Sequence, residues 1–127
     1  MKQFIWKYKF TILSVLFVLI AIMTPGDDIP SVGITIPHID KVVHLGMFGG
    51  VSVCFYWDYV QSMKKMPSLL LSLIALVGFA AMTEIIQLYV PKRSCDYRDF
   101  IADSIGILLA IGISRQVIRK YFLDKQQ

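Results

Sequence analysis

The stretch TEIIQLYVPKRSCDYRDFIADSIG, residues 83–106, covers the junction between two long apolar runs, Ser68–Val90 and Phe100–Ile118. Each run is long enough to cross a bilayer core of roughly 30 Å, which takes about 20 helical residues. The linker Pro91–Arg98 is so short that the two helices are expected to be antiparallel neighbours. The junction nevertheless carries seven charged residues, so the hairpin brings charge into or beside the membrane. They are Glu84, Lys92, Arg93, Asp96, Arg98, Asp99 and Asp103.

The rest of the chain repeats the apolar pattern. Phe4–Met23 and Val42–Val60 are also long enough to span a bilayer. Of the 127 residues, 56% are hydrophobic and only 17% are charged, and the mean hydropathy is +0.62, which is unusual for a soluble domain. The sequence therefore predicts an all-α fold, a single integral membrane domain over residues 1–127 that forms a four-helix bundle. The predicted transmembrane helices are about 4–24, 41–62, 67–90 and 98–120.

The predicted domain begins with the first apolar run and the loop that follows it. The run has a basic beginning but no small-x-small cleavage site, so we expect a retained helix instead of a signal peptide. The loop Thr24–Ile39 has three prolines and two glycines, which exclude a regular helix. We expect an ordered outer loop with one extended piece at VGITI, residues 32–36.

Basic residues are distributed unevenly between the two sides of the predicted bundle. With the N-terminus inside and four crossings, nine of the thirteen Lys and Arg residues lie on the inner side. Because Lys and Arg favour cytoplasmic loops, this asymmetry predicts that both termini are cytoplasmic, in a multi-pass protein of the bacterial cytoplasmic (inner) membrane. The nine are Lys2, Lys7, Lys9, Lys64, Lys65, Arg115, Arg119, Lys120 and Lys125.

The acidic residues follow the opposite distribution. Most, including Asp27, Asp28 and Asp40, lie in the predicted outer half, whereas Asp58 is expected at the inner membrane interface. The net charge of +4 is therefore a topology signal. Since no basic stripe stands free of the membrane, we expect no nucleic acid partner.

Polar side chains recur at one depth, in the outer third of the membrane, on three predicted helices. A charge at the bilayer centre costs about 2.5–3.5 kcal/mol, and such groups normally face the bundle interior and mark a site. We predict an outward-facing polar pocket between the second, third and fourth helices, in which Arg93 folds over Glu84 and Asp103 and offsets their charge. The predicted ligand-binding residues are Lys41, His44, Glu84, Gln87, Arg93, Asp99 and Asp103.

Small residues predict where helices approach closely. The second helix has Gly46, Gly49 and Gly50, of which Gly46 and Gly50 form a small-xxx-small pair. The fourth helix repeats the spacing with Gly106, Ala110 and Ser114. Both faces are expected to meet a neighbouring helix.

Three segments together resemble the VanZ-like family: DKVVHLGMFG (40–49), TEIIQLYVPKRSCDYRD (83–99) and DSIGILLAIG (103–112). The family pattern places Asp-Lys-x-x-His-x-x-x-aromatic on one helix, Glu-x-x-Gln and an Arg at the end of the next, and an Asp at the start of the last. The resemblance covers roughly residues 36–112. At position 103 the family often has Asn, whereas this chain has Asp. The resemblance implies a small polytopic membrane protein of the bacterial envelope with a link to teicoplanin resistance, but no reaction.

Three functions are compatible with these residues. The first is binding of an anionic envelope lipid or a glycopeptide-like ligand at the outer leaflet, where a guanidinium suits phosphate or carboxylate. The second is an intramembrane hydrolase or transferase, with Glu84, His44, Asp99 and Asp103 as candidate acid–base groups. The third is a small transporter acting as an oligomer. No cofactor is implied, and without HExxH or similar ligand spacing no metal site is predicted. Membrane lipid is an expected partner, as is a second copy of the chain.

Overall fold

Every regular element in the described part of the chain is helical. The computed structural model describes residues 1–25 and 37–124. The helices are α1 (Lys2–Lys7), α2 (Lys9–Met23), α3 (Ile39–Met63), α4 (Leu69–Gln87) and α5 (Tyr97–Ile118), and a π-helical turn, Arg119–Leu123, continues α5. The expected extended piece at residues 32–36 lies outside the described residues, as do Asp27, Asp28 and Lys125.

The first predicted helix is interrupted at Tyr8, so the chain starts with two helices where the sequence predicts one. Tyr8 has φ −113° and ψ 28°, outside the helical region. In a continuous helix the N–H of Thr11 would bond to the carbonyl of Lys7. Here α3 provides both partners, since Asp58 Oδ2 accepts from the Thr11 N–H at 2.8 Å and Ser62 Oγ donates to the Lys7 carbonyl at 3.4 Å. One face of α3 therefore supplies hydrogen-bond partners for the two backbone groups that the interruption leaves without a helical partner.

The ends of α4 and α5 follow ordinary capping chemistry. Ser68 precedes α4 and its hydroxyl accepts from the Leu71 N–H at 3.5 Å, while Asp96 precedes α5 and accepts from the Arg98 N–H at 2.9 Å. After Gln87 the backbone bonds shorten to i→i−3, from Leu88 to Ile85 and from Tyr89 to Ile86. This tightening ends α4 three residues before the predicted boundary at residue 90.

The closest helix pair is α3 with α5. Gly106 lies directly against the backbone carbonyl of Leu45, and a methyl group at this position would collide with it. A side-chain carbon at Gly49 would lie 3.4 Å from the Gly106 carbonyl oxygen and 3.9 Å from the Cβ of Ala110. The predicted small-residue face of α5 is thus at a helix contact.

The predicted small-xxx-small pair on α3 does not make this contact. Side-chain carbons added at Gly46 or Gly50 would meet nothing within 4 Å among the described residues. Gly49, which lies between them in sequence, makes the contact instead. Successive residues on a helix point about 100° apart, so an error of one position moves the contact to another face.

The distribution of apolar side chains suits a membrane protein. Two helical segments are long and apolar enough to cross a bilayer, Leu69–Gln87 and Tyr97–Phe122, whereas Lys9–Met23 is apolar but shorter. Large side chains on α4, such as Leu70, Leu71 and Ile74, are exposed, while polar Ser72, Thr83 and Glu84 on the same helix are buried. A helix that points its polar groups inward and its leucines outward suits lipid better than water.

Candidate functional site: a buried histidine–carboxylate cluster

The predicted polar residues lie at one end of the molecule, where α2 and α4 finish and α3 and α5 begin. We call this the site end. The contact between Gly106 and Leu45 brings α3 and α5 together there. His44 precedes Leu45, and Asp103 lies one turn before Gly106, so the two side chains face each other across this contact. The backbone approach that glycine permits thus positions the centre of the site.

His44, Glu84 and Asp103 form the innermost part of the site. The Nδ1 atom of His44 lies 3.0 Å from Oδ1 of Asp103, although the residues are 59 positions apart in the chain. One ligand-type atom from each of the three residues falls within 4.8 Å of the others. Asp103 is fully buried, Glu84 is 4% exposed and His44 is 6% exposed. Three ionisable groups are therefore enclosed together, each supplied by a different helix.

Lys41 forms a second layer, closer to the surface, with three carboxylates. Its Nζ lies 2.7 Å from Asp40, 2.9 Å from Asp99 and 3.5 Å from Asp96. Asp99 joins the layers, because its other oxygen lies 3.9 Å from Nε2 of His44. In the α4–α5 loop, the Arg98 backbone N–H, with help from Lys41, holds the pKa of Asp96 below its usual range. Lys41 is thus a cation that offsets three acids at the site end.

Arg93 does not take the position expected from the sequence. Its Nε donates to the Thr24 carbonyl at 3.2 Å and its Nη2 to the Ala21 carbonyl at 3.1 Å, both at the end of α2. Cations are favourable at a helix C-terminus, where carbonyl groups lack intrahelical partners. The expectation that this guanidinium folds over Glu84 and Asp103 is therefore corrected, since in the structure it ties the α4–α5 loop to α2.

The cavity at the site end also differs in position from the expected one. A cavity of about 390 Å³ lies between the end of α2, the start of α3 and the end of α4, with no α5 residue in its lining. His44, Gln87, Arg93 and Asp40 supply its polar wall, and Ile22, Val43 and Met47 contribute to its apolar wall. Of the predicted site residues, His44, Gln87 and Arg93 line this cavity. Lys41, Glu84, Asp99 and Asp103 are absent from its lining and lie in the two polar layers beside it.

Several buried acceptor atoms in this region have no hydrogen-bond donor among residues 1–25 and 37–124. They are Glu84 Oε1, Gln87 Oε1 and Asp103 Oδ2. The other oxygen of Glu84, Oε2, accepts from the backbone N–H of Asp96 at 3.3 Å. Buried polar atoms are normally paired, so unpaired acceptors beside a cavity indicate a place where a ligand, water or ion can supply the missing partners.

Two residues that organise the site are absent from the predicted ligand-binding set. Asp96 caps α5, pairs with Lys41 and holds Glu84 through its backbone N–H. Asp40 pairs with Lys41 from the neighbouring position. A cap signal was available for Asp96, because an Asp directly before an apolar helical run is a typical N-cap. No local sequence pattern indicates that Lys41 forms ion pairs with carboxylates from two elements.

The sequence model described as VanZ/LLP1 matches residues 2–119 of this chain. The match includes all of the described site residues and extends well beyond the three segments that carry the resemblance. Searches of curated proteins and of solved structures give no match.

Proposed function

The chain belongs to the VanZ/LLP1 family, and on this premise we propose that it is a multi-pass protein of the bacterial cytoplasmic membrane that binds an envelope ligand at its outer face. In this proposal the chain is one membrane domain, a bundle in which α2 (continued by α1), α3, α4 and α5 cross the membrane with both termini in the cytoplasm. The uneven distribution of Lys and Arg residues, nine of thirteen on the predicted inner side, supports this orientation. The site end would then face the outside.

The cavity at the site end is the observation that carries the binding proposal. It combines a polar wall with an apolar wall, as a lipid headgroup and the first carbons of its chains require. Within the described residues, the Arg93 guanidinium makes two hydrogen bonds with its five N–H groups, so further donors are available to an anion. We therefore propose an anionic envelope lipid as the ligand, with a glycopeptide-like molecule as the alternative occupant and a contribution to teicoplanin resistance as the consequence.

Binding is tested with purified protein in nanodiscs. We expect native mass spectrometry to retain an anionic lipid over a zwitterionic one, and Arg93→Gln to reduce that preference while the protein stays folded. Arg119→Gln is the matched control, since Arg119 lies at the opposite end of α5. Equal retention of both lipid classes by the unaltered protein would contradict the selective binding of an anionic lipid, and competition by soluble teicoplanin would identify the alternative ligand.

The resistance role is tested separately in a susceptible bacterial host. We expect expression of the chain to raise the teicoplanin concentration needed to stop growth, and Glu84→Gln to abolish the increase with normal membrane insertion. Asp124→Asn, a change to an exposed acid at the far end of the chain, is the control. If Glu84→Gln leaves the increase unchanged, the cluster has a structural role only.

A second candidate function is intramembrane acid–base catalysis. The 3.0 Å contact between His44 and Asp103 favours it, because a carboxylate that orients an imidazole is a common arrangement in hydrolases and transferases. Glu84 lies close enough to act as the partner acid or base. This candidate predicts that His44→Gln removes turnover of an envelope substrate but leaves its binding intact.

A further inference from the structure

We propose that His44, Glu84 and Asp103 bind a divalent transition-metal ion of the Zn²⁺ or Mn²⁺ class. Each residue offers one ligand atom, and these atoms lie within 4.8 Å of one another. Metal–ligand bonds of about 2.0–2.2 Å place neighbouring ligands of a tetrahedral site about 3.4 Å apart, so the side chains would close in by up to about 1.4 Å around the ion. The mixed imidazole and carboxylate donors match ions that accept both nitrogen and oxygen.

The unpaired acceptors are an independent reason to expect a cation. Glu84 Oε1 and Asp103 Oδ2 are buried and have no donor within the described part of the chain. Gln87 is 2% exposed, its Oε1 is also unpaired, and it lines the cavity together with His44. Three buried acceptor oxygens without a donor in the described residues are unusual for a hydrogen-bonded core, and a bound cation would supply their missing partner.

The surrounding charges also favour a bound cation. Asp99 lies 3.9 Å from His44 and adds a further negative charge, while the nearby Lys41 is shared among Asp40, Asp96 and Asp99. A bound dication would offset the two inner carboxylates, which Lys41 does not contact directly. The Asp96 N–H that holds Glu84 Oε2 would act as a supporting contact that orients a ligand carboxylate.

The ion would also supply a positive centre beside the cavity, suited to a phosphate or carboxylate group of a ligand. This second part rests on the proposed function, whereas the binding of the ion does not. Metal binding is therefore measured on detergent-purified protein without added lipid, after removal of metal with a chelator.

Titration calorimetry with Zn²⁺ or Mn²⁺ alone is the first experiment. We expect about one ion per chain, and at least about 100-fold weaker binding for Glu84→Gln and Asp103→Asn, since even supporting residues contribute about 10–100-fold to metal affinity. The control is Asp58→Asn, which alters a buried carboxylate at the opposite end of α3 and is expected to keep the affinity. No binding by the unaltered chain, or equal affinity in all variants, overturns the site.

A spectroscopic experiment keeps the inference testable if the carboxylate variants fail to fold. The chain has two histidines, His38 and His44. We expect pulsed electron paramagnetic resonance of bound Mn²⁺ to show coupling to one imidazole nitrogen, retained in His38→Gln and lost in His44→Gln. Bound Mn²⁺ without nitrogen coupling overturns the site. Lipid binding that survives chelation in a chain that takes up no metal overturns the ion and leaves the proposed function standing.

Discussion

Asp58 shows how strongly a single residue can depend on tertiary contacts. Its position near the end of an apolar run predicts an acid at the inner membrane interface, and the structure adds that the side chain is 3% exposed because it is enclosed by protein. Its Oδ2 accepts from both the N–H and the hydroxyl of Thr11, at 2.8 and 2.9 Å. Because the interruption at Tyr8 leaves that N–H without a helical partner, a carboxylate from α3 is favourable at the start of α2.

We expect Thr11→Val to lower the free energy of unfolding by about 1.5–3 kcal/mol, the range for a hydrogen bond to a charged group. Valine keeps the shape of threonine but removes the hydroxyl that contacts Asp58. Denaturation in detergent measures the effect. Ser14→Ala is the control, because the Ser14 hydroxyl bonds only within its own helix, to the Thr11 carbonyl, and a smaller loss is expected. Equal losses in the two variants would show that the Asp58 contact adds nothing specific.

At the level of elements, the contact between α3 and α5 determines the site. Gly106 lets the helices approach until its Cα region meets the Leu45 carbonyl, and Gly49 extends the same contact. His44 and Asp103 flank this point, so their 3.0 Å separation depends on the helix spacing. Gly106 has no side chain that could bind a ligand, but the helix contact that it permits positions His44 and Asp103.

We expect Gly106→Ala to destabilise the protein by about 1–3 kcal/mol, the cost of forcing a methyl group into a packed contact. The obstacle is backbone, the Leu45 carbonyl, so the helices themselves must move apart. Thermal unfolding in detergent measures the loss. Gly46→Ala is the matched control on α3, where an added methyl group meets nothing within 4 Å among the described residues, and no loss is expected. A similar loss of stability in both variants would contradict the observed rotation of α3 and α5 about their axes.

For the described part of the molecule, charged groups lie towards the two ends, and large apolar side chains are exposed along the helices between them. The carboxylate cluster occupies the site end, and the contact between Asp58 and Thr11 lies at the other. Between them the core is formed by apolar side chains such as Val51, Leu76 and Ile107. This arrangement fits a protein that crosses a bilayer, and the proposed orientation places the α4–α5 loop outside the cell.

We expect a membrane-impermeant thiol reagent on intact cells to label Cys95 and to spare Cys54. Cys95 is exposed in the α4–α5 loop, whereas Cys54 lies partly buried in the middle of α3. Labelling is detected by a mass shift of the purified chain, with Cys95→Ser as the control that removes the signal. Labelling of Cys95 only after the cells are permeabilised would reverse the proposed orientation.

The sequence by itself determined the class of the protein, its family and the set of polar residues that share one depth. Length and hydropathy of each apolar run are local properties, and depth follows from counting residues at 1.5 Å each. They were sufficient to select His44, Glu84 and Asp103, which the structure brings together.

Only the tertiary structure decided which partner each polar group has. The contacts between His44 and Asp103 and between Thr11 and Asp58 join residues 59 and 47 positions apart. Whether such groups meet depends on how each helix is rotated about its axis, and one residue changes that direction by about 100°. For this reason Gly49 and not the adjacent Gly50 meets α5, and Arg93 bonds to α2. His44, Glu84 and Asp103 likewise lie within 4.8 Å of one another although the sequence has no metal-ligand motif.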